Sequence, residues 1–413
     1  MLWSVQSGWQ PPAVDIPRAT SGGTLTVLSS SQRVETLDPT EVVLTDGVSI
    51  ESGLLVRSLT QYVYDRRTNR MVIAPDLATD LGTHNRDYTV WRFTLRRGVR
   101  FENGAPVTPE DVKFGIERSF DRSTFPSGAE YSNLYFLDGD SYRGPYSSRG
   151  PYPGVSISGR TLTLRMAKPF PDLRYWAAWP AMSPIPPGPT SNPATYKNHP
   201  LATGPYKIAS YTPGRSLVLV RNPQWNPDTD PGRHQYVDRF VFKFRVDGSA
   251  INRLMLSDTG SARTTLSYDP VSGSDYRRFM RSAPDRLVQG TESCTWMLFP
   301  DNRKITDVNV RRALGYAYPY RAVLHAQGFD AGVTGAFTTR LMSSDVPGQV
   351  AYNPLPGHPA GATQPAKARR ILKREGKMGF PIRFPNAVDD PKATAITRVV
   401  ARALTRAGFS VQP

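Results

Sequence analysis

The sequence predicts an α/β fold. Three observations carry that expectation: segments in which apolar and polar residues alternate with period two, helices that open at capping residues between those segments, and a strand–helix–strand order close to the C-terminus. Its 413 residues leave room for two or three domains with substantial cores. No repeat with a period of 20–50 residues is visible.

Residues 1–21 read as irregular. A first strand is expected at Thr24–Leu28, rich in β-branched residues, and Leu37-Asp38-Pro39 reads as a turn. Val48, Ile50, Leu54, Leu55 and Leu59 fall at helical spacing, which predicts a helix over 48–59. In 88–101, Trp91, Phe93 and Leu95 alternate with Val90, Arg92, Thr94 and Arg96, the pattern of a half-buried strand. Asn103-Gly104 marks a tight turn. Thr108-Pro109-Glu110-Asp111 then opens a helix to about Phe120, with Thr108 as N-cap, Pro109 at the first helical position and Val112, Ile116 and Phe120 inward.

The stretch 121–153, full of Tyr, Gly, Ser and Pro, reads as a decorated loop. Strands follow at 155–158 and 161–166 around Gly159-Arg160, at 206–211 and 216–222 around Pro213-Gly214, and less cleanly at 237–246. Helices are expected near 249–257, at 308–318 behind Thr306 or Asp307, and at 365–376 and 391–408, the last two opening on proline and closing on glycine. Further strands are expected at 294–299, 381–384 and from Phe409 onward.

Apolar residues make up 39% and charged residues 21%, the balance of a globular chain. The 33 glycines and 38 prolines are scattered, so they mark turns between short elements and not a low-complexity tract. Net charge is +16. Without a block of five or six basic residues or an RNP-type aromatic motif, that excess reads as solubility and not as nucleic-acid binding. No apolar run approaches the roughly 20 residues needed to span a bilayer. The first residues lack the charged start and apolar core of a signal peptide, which leaves three alternatives: a removed export segment, a misplaced start or a cytosolic protein.

A search for reaction chemistry returns nothing. The five histidines, His84, His199, His234, His325 and His358, are dispersed, so no local zinc motif forms. GxSxG, phosphate-loop and dinucleotide motifs are absent, and no cofactor is implied. Cys294 is the only cysteine and sits in an apolar stretch, where a thiol acts as a small hydrophobe. The basic run Lys367, Arg369, Arg370, Lys373, Arg374 and the stripe Arg398, Arg402, Arg406 read as solvated helix faces. Aromatic residues at 10% suit a ligand cleft as well as a core.

Five ordered segments carry a resemblance. They are GGTLTVLSS with Leu37-Asp38-Pro39; Ala74-Pro75-Asp76-Leu77-Ala78; WRFTLRRGVRFENGAPVTPEDVKFGIERSF at 91–120; HPLATGPYKIASYTPGRSLVLVRNPQW at 199–225; and TDVNVRRALGYA at 306–317. Together these resemble the extracytoplasmic solute-binding proteins of ABC transporters, family 5, the oligopeptide-, dipeptide- and nickel-binding type. The resemblance spans about 22–413 and implies a two-lobed, periplasmic-binding-protein-like fold. Lobe I would cover 22–290 with a subdomain inserted at about 70–200, and 291–413 would form part of lobe II. It also implies a monomer that closes on an extended peptide or peptide-like solute held through backbone hydrogen bonds, and then meets the subunits of an ABC permease. The setting would be extracytoplasmic, with membrane contact only through the permease or a lost lipid anchor.

By the same resemblance, Asp46, Gly47 and Val48 before the first helix, Tyr131 in the inserted part, and Thr295, Trp296, Met297 and Phe299 crossing into lobe II face the ligand. Two departures stand out. Ala317-Tyr318-Pro319-Tyr320-Arg321 lacks the family's acid at that point, so a salt bridge is expected to be missing. The chain also stops at Pro413, where family members continue, so weak or absent peptide binding is expected of this chain alone. The alternatives are a fold reused for another small molecule, a regulatory or biosynthetic accessory, or a shortened non-functional copy.

Overall fold

The computed structural model describes residues 19–31, 34, 36–148, 150–257, 259–271, 273–288, 298–326, 350, 353–355, 357–359, 361–385 and 391–412. The chain divides into two compact units between Asp269 and Pro270.

The first unit is built on a five-stranded sheet of β1 (Thr24–Leu28), β8 (Tyr206–Thr212), β9 (Ser216–Arg221), β10 (Arg239–Lys243) and β11 (Thr265–Ser267), in the order β11-β1-β10-β9-β8. β1 runs parallel to both β10 and β11, whereas β9 is antiparallel to both of its neighbours. Val27, Ile208, Leu217, Leu219 and Phe242 bury one face against Leu37, Ile50 and Leu55. That burial fixes the register, because a slip of one residue would turn the apolar set to water.

A four-stranded antiparallel sheet in the same unit has the order β4-β5-β7-β6, from Thr83–His84, Val90–Thr94, Thr161–Arg165 and Val155–Ser158. Trp91 and Phe93 of β5 point inward as the alternation predicts, against Leu162 and Leu164 of β7 and the helix Pro109–Arg118. That helix starts where capping chemistry places it. The Thr108 hydroxyl accepts from Asp111 N–H at 3.2 Å, and the Asp111 carboxylate accepts from Thr108 N–H at 2.7 Å. Val112, Ile116 and Phe120 are all fully buried. Gly104 (φ +88°) and Gly214 (φ +73°) make the two expected tight turns, where positive φ suits glycine.

Three departures from expectation lie in residues 48–153. The helix expected over 48–59 instead runs Thr45–Ile50, continues as a wide turn at Glu51–Leu55 closed by Val56 N–H on Glu51 C=O (2.8 Å), and ends there. Residues beyond it enter an unforeseen hairpin, β2 (Thr60–Asp65) and β3 (Arg70–Pro75). Outward-facing Tyr62 and Tyr64 had blurred its alternation. The stretch 121–153 holds a short helix, Tyr131–Tyr135, and buries Phe125, Phe136 and Tyr152.

The second unit packs helices Val308–Ala317, Pro365–Arg374 and Pro391–Ala407 around Val310, Leu314, Leu372, Val400 and Leu404. The Asp307 carboxylate caps the first of these by accepting from Asn309 N–H at 2.7 Å. The strand–helix–strand order is present: β12 (Pro381–Arg383) and β13 (Ser410–Gln412) pair in parallel across the long helix. Of the strand expected at 294–299, residues 294–297 lie outside the described residues, and Leu298 and Phe299 have no regular structure.

Candidate functional site

In open α/β sheets, ligands sit outside the carboxyl ends of parallel strands. Here those ends belong to β1, β10 and β11, and Tyr268 directly follows β11, with its N–H bonded to Leu28 C=O at 2.9 Å. Burial raises the Tyr268 phenol above its ordinary titration, the neighbouring Asp46 and Asp269 carboxylates add to that, and a hydrogen bond with Ser49 partly offsets it. Asp46 and Ser49 of the first helix therefore stand against Tyr268 at the sheet's carboxyl end.

Segment 36–57 is held from both sides. At its start, Asp38 and Arg118 form a buried ion pair of 2.7 Å, and the guanidinium also lies 4.6 Å from the Phe125 ring centroid and 5.2 Å from that of Tyr196. At its end, Arg57 and Arg233 interleave with Asp76 and Asp230. Arg57 Nε reaches Asp76 Oδ1 at 2.7 Å, Arg233 Nη1 reaches Asp76 Oδ2 at 2.9 Å and Asp230 Oδ2 at 3.2 Å, and the indole of Trp225 donates to Asp230 at 3.0 Å. Burial would raise Asp230, but Arg233 and Arg57 outweigh it and hold the carboxyl well below its usual range. Arg233 Nε also donates to Ser52 C=O at 2.7 Å, so this cluster grips the backbone next to the candidate helix.

Gly47 is buried, and a Cβ there would lie 2.2 Å from Val42 Cγ2, so a larger residue would have to push that methyl or the helix aside. Val48 and Asp46 are half-buried. Val42 C=O accepts from the Trp179 indole at 3.3 Å. From Trp179 a ladder of rings leads away: Trp176 at 5.8 Å, Tyr131 at 5.0 Å beyond it, then Phe170 and Tyr135. Tyr131, in the middle of that ladder, remains 48% exposed. Thus Val42, which packs beside Gly47, is linked to Tyr131 through two tryptophans. The Trp176 indole N–H is buried with no partner among the described residues.

Sequence reasoning missed Trp176, Trp179 and Tyr268. The first two stand at i, i+3 in a short aromatic segment, a spacing that places both rings on one side of a helical turn. Tyr268 follows a three-residue strand too short to register as one. Thr295, Trp296 and Met297 lie outside the described residues, and Phe299 is 79% exposed. Among the described residues, no group of three or more His, Cys, Asp or Glu could hold a metal ion, and no helix is long and apolar enough to cross a membrane.

The family described as bacterial extracellular solute-binding proteins, family 5 Middle, matches residues 72–413. The chain belongs to that family. Its members are binding proteins. The periplasmic oligopeptide-binding protein OppA of Salmonella typhimurium is 23% identical over 326 residues, covering 72% of this chain and 58% of OppA. The chain thus spans less than two thirds of that relative. Among solved structures, clavulanic acid biosynthesis oligopeptide binding protein 2 superposes with a TM-score of 0.78 at 26% identity, covering 97% of this chain and 72% of the other. The binding protein AgaA of A. tumefaciens R10, in complex with agropinic acid, gives 0.65 at 21% identity, over 94% of this chain and 72% of the other. The fold is the two-lobed family fold that the resemblance implied.

Proposed function

We propose that the chain binds a peptide or peptide-like solute outside the cytoplasmic membrane, as a monomer, and hands it unaltered to the permease of an ABC importer. The observation that carries this reading is the face at the carboxyl end of the five-stranded sheet. Asp46, Ser49 and Tyr268 offer polar groups there, and partly buried Trp179 and half-exposed Tyr131, braced by the buried Trp176 between them, offer aromatic surface. Flat rings with a polar edge grip an extended chain without selecting its side chains. By the family resemblance, Thr295, Trp296, Met297 and Phe299 remain further candidates for contact with the solute.

OppA's name supports an oligopeptide. AgaA's agropinic acid favours a second reading, a small non-peptide solute held on the same face. A thermal-shift screen of short peptides, opines, sugars and nickel complexes separates the two, because a ligand that binds only the folded state raises Tm with concentration. Saturable shifts with peptides are expected. Silence across peptides overturns the first reading, and turnover of a peptide by the purified chain overturns the non-enzymatic role.

A further inference from the structure

The β2–β3 hairpin presents an exposed face outside the residues proposed for solute binding. Its cross-strand pairs Tyr62–Ile73 and Tyr64–Met71 share one face, because side chains alternate along each strand. On that face Tyr62 is 50% exposed, Tyr64 46% and Met71 60%. Tyr175, from a neighbouring short helix, stacks on Tyr62 with ring centroids 6.3 Å apart and extends the patch. Single exposed apolar residues are ordinary, but contiguous ones mark a contact surface. The Tyr64 hydroxyl donates to Asn69 in the turn, so the aromatic row is anchored to the hairpin tip.

The tip is basic. Arg66, Arg67 and Arg70 are all exposed there, and Arg67 is tied at 3.3 Å to Asp65, whose own side chain is buried. The exposed acid that bears on the patch is Asp172, beside Tyr62. Guanidinium groups around a row of tyrosines and a methionine match the two layers of an anionic bilayer surface. Arginine meets headgroup phosphate, and amphipathic rings settle at the level between headgroup and acyl chain. The hairpin is a two-stranded ribbon with exposed arginines at its tip. Its charge complements a surface that is anionic throughout.

We propose that the tip and outer face of the β2–β3 hairpin attach the chain to anionic phospholipid bilayers, a contact separate from solute binding. Each guanidinium near such a surface strengthens attachment roughly fivefold. The test is co-sedimentation of the full chain with vesicles of phosphatidylcholine alone, or of equal parts phosphatidylcholine and phosphatidylglycerol. Binding to the anionic vesicles alone is expected, falling as salt is raised. Arg66→Glu with Arg70→Glu should lower it by roughly tenfold or more. Tyr64→Ser with Met71→Ser should lower it several-fold at unchanged Tm. As a control for net charge, Arg398→Glu with Arg402→Glu alters the second unit by the same amount and should leave most of the binding. Equal losses from the hairpin and control pairs would overturn the proposal, because the attraction would then be diffuse. Indifference to anionic vesicles, or capture of a membrane protein but not of protein-free vesicles, would overturn it as well.

Discussion

Two buried charged clusters flank segment 36–57, and they are built differently. The downstream cluster sets two arginines against two aspartates, Arg57 and Arg233 with Asp76 and Asp230, and adds Gln61, Thr229 and Trp225 as neutral partners. Its charges cancel and its polar atoms are met. The upstream region pairs Asp38 with Arg118 but leaves Glu51 fully buried, with neither carboxylate oxygen bonded among the described residues. Burial first, and the Asp38 charge second, push the Glu51 carboxyl well above its ordinary titration. The lesson is that burial alone does not make a charge a fastener. The cluster that cancels staples the backbone, whereas the surplus acid weakens the fold unless it takes up a proton.

The comparison breaks most visibly at Arg57. Arg57→Ala would leave Asp76 and Asp230 facing Arg233 alone and should cost about 3–5 kcal/mol, read as a lowered denaturant midpoint. A loss below about 1 kcal/mol would mean that the cluster is not the staple. Next comes Gly47→Ala, whose Cβ would meet Val42 at 2.2 Å. Shifting the helix to make room should cost about 1–3 kcal/mol and weaken any ligand-induced rise in Tm. Unchanged values of both would detach this turn from the site.

Glu51→Gln should act in the opposite direction. The folded value of Glu51 is raised, so the stability linked to its proton is fully present below about pH 4.3, the value for an unfolded glutamate. That stability is lost as pH rises through the folded value. The variant should therefore melt higher than the parent at pH 7, with the gap closing below about pH 4.3. A gap that persists in acid would assign the effect to packing. The smallest effect belongs to His199, raised mainly by its 2.9 Å hydrogen bond to Glu102 on a half-exposed site. His199→Gln should lower Tm slightly below about pH 6.5, and the difference should vanish as pH rises through the raised folded value.

Where a local rule governs, the chain was readable in advance. The capping box at Thr108–Asp111, the alternation through Trp91 and Phe93, and the proline-started helices at Pro365 and Pro391 each follow from a few neighbouring residues. The first helix came out wrong because apolar residues at 48, 50, 54, 55 and 59 keep helical spacing while the chain turns at Val56 to meet tertiary partners of Arg57. The β2–β3 hairpin was hidden because its outer face is aromatic and not polar. Asp46, Gly47, Val48 and Tyr131 were named for the proposed face by resemblance. Trp176, Trp179 and Tyr268 were not, because their importance lies in which rings and strand ends the fold stacks together.

The most direct test is a peptide-dependent thermal shift measured on the parent chain and on Tyr131→Ala. Tyr131 is half-exposed, so its truncation should leave the unliganded Tm nearly unchanged. A saturable rise in the parent that is much reduced in the variant is the predicted result. An equal rise in both proteins, or none in either, would contradict a solute-binding face that runs from Asp46 to Tyr131.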